Sequence, residues 1–151
     1  MKQERTIMSE NYKTAIVRNQ PSAPMQWLDK KGYLKGLKRL DYGCGRGYDS
    51  NYYGQDKFDP HWFPEYDFNQ RFDLITCNYV LNVVTEEQQE IIIQHIANLL
   101  YIAGRAFFSV RRDLPIEGKP GKDCYQRYVV LPKLKLLVEN SDFAIYRMLK
   151  G

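Results

Sequence analysis

"LDYGCGRGYDSNYYGQDKFDP", residues 40–60, places glycines at 43, 45, 47 and 54 and acids at 41, 49, 56 and 59 in one short run. Leu37 to Asp41 reads as a strand entering it. Glycines at the carboxyl end of a strand let the backbone turn sharply and approach a bound nucleotide or nucleoside closely. The pattern is Asp41-x-Gly43-x-Gly45-x-Gly47. A dinucleotide site instead places a third glycine three positions after the second and an acid about 20 residues further on. Here position 48 is Tyr, and Asp56 and Asp59 follow Gly47 by only 9 and 12 residues. A pyrophosphate cradle fits poorly, and a nucleoside cradle fits better.

The flanking segments set the fold class. Upstream, SAPMQWLDKKG (residues 22–32) carries a helix-start serine, a proline in the first turn, basic residues at its end and a stop glycine, and predicts a short helix. Downstream, Pro60 and Pro64 break "HWFPEYDFNQR" into loop, and Leu74 to Cys77 reads as a strand buried on both faces. Thr85 with Gln88 makes a capping box, Glu86, Glu87 and Glu90 favour a helix start, and Ile92, Ile96, Leu99 and Ala103 draw an apolar stripe ended by Gly104. A helix is expected over 86–102. "RAFFSV" (105–110) is the next strand. A loop through about residue 123, a strand over 125–131, a short helix opened by Pro132 and a final strand over 143–149 complete the chain. This alternation predicts an α/β sheet, mostly parallel, with helices on both faces.

Composition narrows the function classes. The 151 residues are 44% hydrophobic and 26% charged, an ordinary globular balance, and one domain is expected with residues 1–13 as a loose terminus. No apolar stretch approaches the ~20 residues of a membrane helix, and the polar start lacks a signal-peptide core, so no membrane role and a cytoplasmic location are expected. Cys44, Cys77 and Cys124 are too scattered for a disulfide framework or zinc-ligand spacing, so no metal is expected. Residues 101–151 hold 10 Lys/Arg against 5 Asp/Glu, whereas residues 1–100 hold 12 against 13. The basic excess and its tyrosines keep nucleic acid open as a partner.

The motif D41-Y-G-C-G-R-G47 resembles the first motif of class I S-adenosylmethionine-dependent methyltransferases, and "FDLITCNYVLNVV" resembles the strand and turn that form the other wall of their cofactor site. "TAIVRNQPSAPMQWL", "LDYGCGRG", "GQDKFDP" and "YVLNVV", in that order, are similar to small proteins described as DNA phosphorothioation-associated methyltransferases, over roughly residues 14–113. The resemblance implies S-adenosyl-L-methionine as cofactor and methyl transfer by in-line displacement. Gly43, Cys44, Gly45 and Gly47 would hold the methionine part, with Asp41 ordering the loop. Asp56 or its rival Asp59 would take the ribose hydroxyls, and Cys77, Asn78 and Tyr79 would complete the cofactor wall.

The segments 48–55 and 57–71 are too short for the usual helix and for a further helix and strand, so a reduced Rossmann-like sheet of about five strands is expected, with no obvious strand to finish it. The aromatic loop His61, Trp62 and Phe63 is a candidate replacement for the missing cofactor wall.

The acceptor is not readable. Asn78-Tyr79 stands where amino-group methylases carry an Asn/Asp-Pro-Pro-aromatic tetrad, and "CNYV" has no prolines. Arg111 and Arg112, at the carboxyl end of a strand, are candidates for a phosphate or carboxylate, or are solvated charge. Arg18 and Ser22 are candidates for a lid over the same edge. No catalytic base is legible: Cys44 and Cys77 read as buried fillers, His95 as a partly exposed surface residue, and His61 as a weak base candidate.

Overall fold

The computed structural model describes residues 17–120 and 125–151. The expectation for residues 1–13 and Cys124 lie outside them. In chain order the elements are α1 (Ala23–Lys30), β1 (Arg39–Tyr42), α2 (Tyr48–Tyr53), β2 (Asp56–Phe58), β3 (Phe72–Asn78), α3 (Glu86–Leu99), β4 (Leu100–Arg111), β5 (Lys119–Pro120), β6 (Tyr125–Gln126), β7 (Lys135–Glu139) and β8 (Phe143–Leu149). A six-stranded sheet runs β2-β1-β3-β4-β8-β7. The first four strands are parallel, and β8 and β7 are antiparallel additions.

Side-chain alternation divides the core between the two faces of this sheet. Leu40, Tyr42, Ala106, Phe108, Val110, Ala144 and Tyr146 point to one face, where they meet Ile92, Ile96 and Leu99 of α3. Leu74, Phe107, Phe143 and Ile145 point to the other and meet Met25 and Leu28 of α1. Each fully buried apolar side chain of this size contributes about 1.5–3 kcal/mol. The expected α/β sheet, mostly parallel with helices on both faces, is the fold observed.

Helix α3 starts as its sequence dictates. Gln88 N donates to Thr85 Oγ1 at 3.1 Å while Thr85 N donates to Gln88 Oε1 at 2.9 Å. It stops at Leu99, three residues before the expected end, because Leu100 turns extended and opens β4 directly. Ala103 (φ 70) and Gly104 lie in a bulge between the pairs Phe72–Leu100 and Leu74–Arg105, and a β-carbon on Gly104 would meet the Phe72 carbonyl at 3.0 Å.

Two expectations in the last third are corrected. No helix follows Pro132: residues 135–139 form β7, which pairs with β8 and supplies the sixth strand. A register shift between Leu136 and Val138 lets Leu137 and Val138 both pack on the α1 face. Asn140 Oδ1 accepts the amides of Asp142 and Phe143 and closes the hairpin. Over 125–131 only Tyr125 and Gln126 are strand, paired to Lys119–Pro120. The remainder is a strap held by Arg127, whose guanidinium donates to the carbonyls of Leu81 and Val84 and to Gln89 Oε1.

Candidate functional site

The four parallel strands end on one edge of the sheet, and β1 lies between β2 and β3, so the chain order reverses there. Open α/β sheets bind ligands at such a point. The glycine run occupies it. Gly43, Gly45 and Gly47 have φ of 77, 57 and 86, the left-handed region that favours glycine. Gly43 N and Cys44 N both donate to the Phe58 carbonyl, at 2.7 and 3.0 Å, which fastens the loop to the end of β2.

Register decides the position of the two rival acids. Asp56 pairs with Leu40 at the start of β2, is exposed, and accepts from Tyr66 Oη at 3.0 Å. Asp59 follows the last residue of β2, beside the loop. Its Oδ2 accepts Gly45 N at 2.8 Å, and its Oδ1 accepts the amides of His61 and Trp62 at 3.0 and 3.1 Å. The aromatic segment is thus drawn against the glycine loop. Arg46 lies 4.3 Å from the Trp62 ring centroid and Lys57 lies 5.2 Å from that of Phe63. A β-carbon on Gly47 would meet both Lys57 and Phe63 at 3.1 Å.

Asp41, at the end of β1, is 3% exposed. Ser50 Oγ donates to its Oδ2 at 2.8 Å and Thr76 Oγ1 to its Oδ1 at 3.2 Å, while Gln55 Nε2 donates to Thr76 Oγ1 and to the Leu40 carbonyl. Burial outweighs these bonds, and nearby Asp49 and Asp59 add repulsion, so its carboxyl is pushed up to about 7. Its contribution to stability is whole below the ordinary carboxylate value of 3.8 and declines as pH rises towards about 7. The slope is ~1.4 kcal/mol per pH unit. Asp41→Asn removes the slope, so its melting temperature should rise relative to the wild type between pH 4 and 7. A pH-independent difference across thermal melts would show that Asp41 ionises normally.

Asp49, on α2, accepts Ser22 N at 2.8 Å and Ser22 Oγ at 2.7 Å. Ser22 is therefore buried as a tie between the start of α1 and the helix after the glycine loop, with its hydroxyl committed to Asp49. Cys77 is fully buried in the α3-side core, and Cys44 is half-buried with Sγ 3.7 Å from the Gly45 carbonyl. Burial, reinforced by Asp41, raises both thiols well above the usual range. Neither is a reactive thiol, in line with their reading as fillers. His95 is corrected to a buried residue: its Nδ1 lies 2.7 Å from Tyr42 Oη and its ring packs 4.8 Å from that of Phe68. His61 is exposed at the end of the aromatic segment.

At the end of β3, Asn78 Oδ1 accepts Ser109 Oγ at 2.8 Å, and its Nδ2 is buried without a hydrogen-bond partner. Tyr79 follows with φ 61, a strained value for a bulky side chain, held by Tyr79 N donating to the Ser109 carbonyl at 2.9 Å. Beside it opens a cavity of about 420 Å³ lined by Arg18, Ala23, Tyr79, Val83, Arg111, Asp113, Gln126 and Asp142.

The two adjacent arginines differ in kind. Arg111 faces the cavity and forks onto Asp113, Nε to Oδ1 at 2.8 Å and Nη2 to Oδ2 at 2.9 Å. Arg112 is turned inward, its side chain 3% exposed, with Nε on Glu139 at 2.6 Å, Nη1 on the Val129 carbonyl at 2.7 Å and Nη2 on Tyr146 Oη at 2.8 Å. It is neither a ligand contact nor a solvated charge. Sequence reasoning missed Asn82, which is fully buried: Oδ1 accepts Arg111 N at 2.9 Å and Nδ2 donates to the Arg127 carbonyl at 2.7 Å. As the lone polar residue in "YVLNVV" it carried a signal.

No protein-family model matches the chain, and no curated protein matches it. Solved structures do. A TehB-like S-adenosylmethionine-dependent methyltransferase from Corynebacterium glutamicum is 21% identical, with a TM-score of 0.58 over 95% of this chain and 98% of that one. Magnesium protoporphyrin IX methyltransferase from Synechocystis PCC 6803, with bound S-adenosylmethionine, is 15% identical, with a TM-score of 0.55 over 98% and 97%. DhpI in complex with S-adenosylhomocysteine is 12% identical, with a TM-score of 0.57 over 97% and 92%.

The fold is that of class I methyltransferases. Relative to the fuller fold implied by the sequence resemblance, this methyltransferase fold is shortened where expected: α2 has six residues, and β2 passes to β3 through the aromatic loop without an intervening helix. Among the described residues no group of His, Cys, Asp or Glu could hold a metal, and no helix is long and apolar enough to cross a membrane.

Proposed function

We propose that this chain is an S-adenosylmethionine-dependent methyltransferase whose acceptor enters the cavity beside Tyr79. The observation that carries the reading is the glycine loop at the reversal point of the sheet, with Asp41 and Asp59 at the ends of two neighbouring strands. The residues suit such a cofactor in three ways. The left-handed glycines give a backbone surface without β-carbons. The carboxylates of Asp49 and Asp59 beside the loop favour a ligand carrying ammonium and sulfonium charge. The buried, unpartnered Asn78 Nδ2 is a donor awaiting an acceptor.

When bound, the cofactor supplies an electrophilic methyl group and its own leaving group. The chain's part is to hold and align. Gly43, Gly45 and Gly47 hold the methionine portion, and Asp59, rather than Asp56, takes the ribose hydroxyls because it stands at the right end of β2. Asn78 and Tyr79 form the wall between cofactor and acceptor. Alignment of this sort supplies up to ~7–11 kcal/mol of the barrier reduction, so a general base is required only for an acceptor that arrives protonated.

A second reading, cofactor binding without transfer, is favoured by one observation. Tyr79, the cavity's phenol, is pushed up to about 12 by burial, so it is a poor base at neutral pH. The sequence resemblance to phosphorothioation-associated proteins is an association by name with DNA modification and identifies no acceptor.

Calorimetric titration with S-adenosylmethionine and S-adenosylhomocysteine should give micromolar binding of both. No heat at millimolar ligand would overturn the reading. If both bind, labelled methyl appearing in nucleic-acid, protein or small-molecule extracts supports transfer, and none in any of them supports binding alone. Cleavage of the cofactor incubated by itself would point to a cofactor-consuming enzyme.

A further inference from the structure

We propose that the cavity beside Tyr79 takes a small acceptor carrying a carboxylate or phosphonate-like group next to an apolar body, and that Asp113 occupies Arg111 until that group displaces it. The proposal rests on the methyltransferase reading only for the word acceptor. The anion site itself stands on the cavity's own geometry.

The size comes first. About 420 Å³ lies within the range of pockets for small organic molecules. Its position follows from the sheet. Tyr79 stands just past the end of β3 and Arg111 ends β4, so the cavity opens on the ligand-binding edge, one strand removed from the glycine loop. Tyr79 and Val83 give it an apolar wall, and the rest of the lining is dominated by charge.

That charge is balanced internally. Arg18, Arg111, Asp113 and Asp142 all line the same space. The Tyr79 hydroxyl feels all four: after burial, Arg18 and Arg111 favour its ionised form, and Asp113 and Asp142 oppose it. An anion can pair with Arg111 only when Asp113 gives way.

Arg111 is the one that can be released. Its fork onto Asp113 spans two residues of one surface segment, with the two side chains 30% and 49% exposed. Both side chains reach solvent, so a ligand oxyanion of the same fork geometry can take the place of Asp113 without burying or stranding either charge. Arg112 shows the opposite design, with each guanidinium nitrogen tied to a different partner and the side chain sealed. Meanwhile Asn82 holds Arg111 N at 2.9 Å, so the backbone stays fixed while the side chain exchanges partners.

The test is a titration of the full chain with benzoate, phenylphosphonate and the neutral benzamide, followed by the ¹H–¹⁵N resonances of the arginine side chains. The Arg111 Nε–H signal should move with benzoate, with phenylphosphonate, or with both, and the preferred anion identifies the group. Benzamide should leave it in place. Arg111→Met, which lacks that resonance, should abolish anion binding as read by calorimetric titration with the same three probes. Asp113→Asn should tighten anion binding about three- to fivefold, because the internal competitor is gone, whereas Asp142→Asn should change it less.

Equal gains from the two Asp variants would mean a general field effect and overturn the displacement. Binding of benzamide as tightly as benzoate, or unchanged affinity in Arg111→Met, would overturn the anion site. Saturating S-adenosylhomocysteine should leave the anion bound, and competition between them would assign the guanidinium to the cofactor's carboxylate instead. If S-adenosylhomocysteine does not bind at all, the methyltransferase reading fails and the anion titration is still decided on its own result.

Discussion

Gly45→Val should lower the affinity for S-adenosylhomocysteine by more than about a hundredfold, equivalent to ~2.7 kcal/mol, while unfolding remains cooperative. Gly45 sits at φ 57, where a β-branched side chain is strongly disfavoured, and its amide donates to Asp59 Oδ2 at 2.8 Å. Valine would either strain the loop by ~1–3 kcal/mol or pull that amide away from Asp59, and in both cases it places methyl groups on the surface meant for the ligand. The sheet and both helix layers exclude Gly45 from their cores, so the melting temperature should fall by only roughly 4–8 °C. Calorimetry and thermal melts read the two effects separately. Retained affinity would move the binding site away from residues 43–47.

Arg112→Met should cost about 3 kcal/mol of stability, a fall in melting temperature of roughly 6–12 °C. Methionine replaces the apolar stem but leaves the Val129 carbonyl and the Tyr146 hydroxyl without their donor, at ~1–3 kcal/mol for each buried group left unsatisfied. It also removes the guanidinium that lies 4.6 Å from the Tyr128 ring centroid and reaches Glu139 of the edge strand β7. Glu139 is 45% exposed and rehydrates, which keeps the loss at the lower end of the range for a broken buried pair. Arg111→Met, one residue away, should change stability by no more than ~1 kcal/mol because its ion pair is exposed. Urea titration compares the two. A loss below about 1 kcal/mol for Arg112→Met would contradict the sealed network.

The contrast between these arginines explains why the acceptor side was illegible in the sequence. "RRD" gives two equal cations at a strand end, and strand alternation sends them to opposite faces. Which one meets the cavity depends on Tyr146, Val129 and Glu139, all 17 or more residues away in the chain. The partner of Ser22 was hidden for the same reason: the sequence marks it as a helix start and a lid candidate, and its hydroxyl bonds to Asp49, 27 residues on. His95 lies on a helix with a clear apolar stripe, and only the packing of Tyr42 and Phe68 against that helix takes it out of solvent.

Local chemistry alone determined the glycine loop, the capping box of α3, the α/β alternation and the shortening on both sides of β2. In each, the cause lies within a few residues: a glycine that must hold positive φ, a threonine that bonds three residues ahead, a segment too short for a helix. The tertiary structure decided the rest. Strand register set Asp59 beside Gly45 and sent Asp56 to the far end of β2, because Tyr42 pairs with Phe58 and places the residue after each at the ligand edge. A hairpin bulge turned an apparent helix into the sixth strand. Partners contributed by β7, β8 and the 127–131 strap sealed Arg112 into the structure and left Arg111 lining the cavity, paired with Asp113.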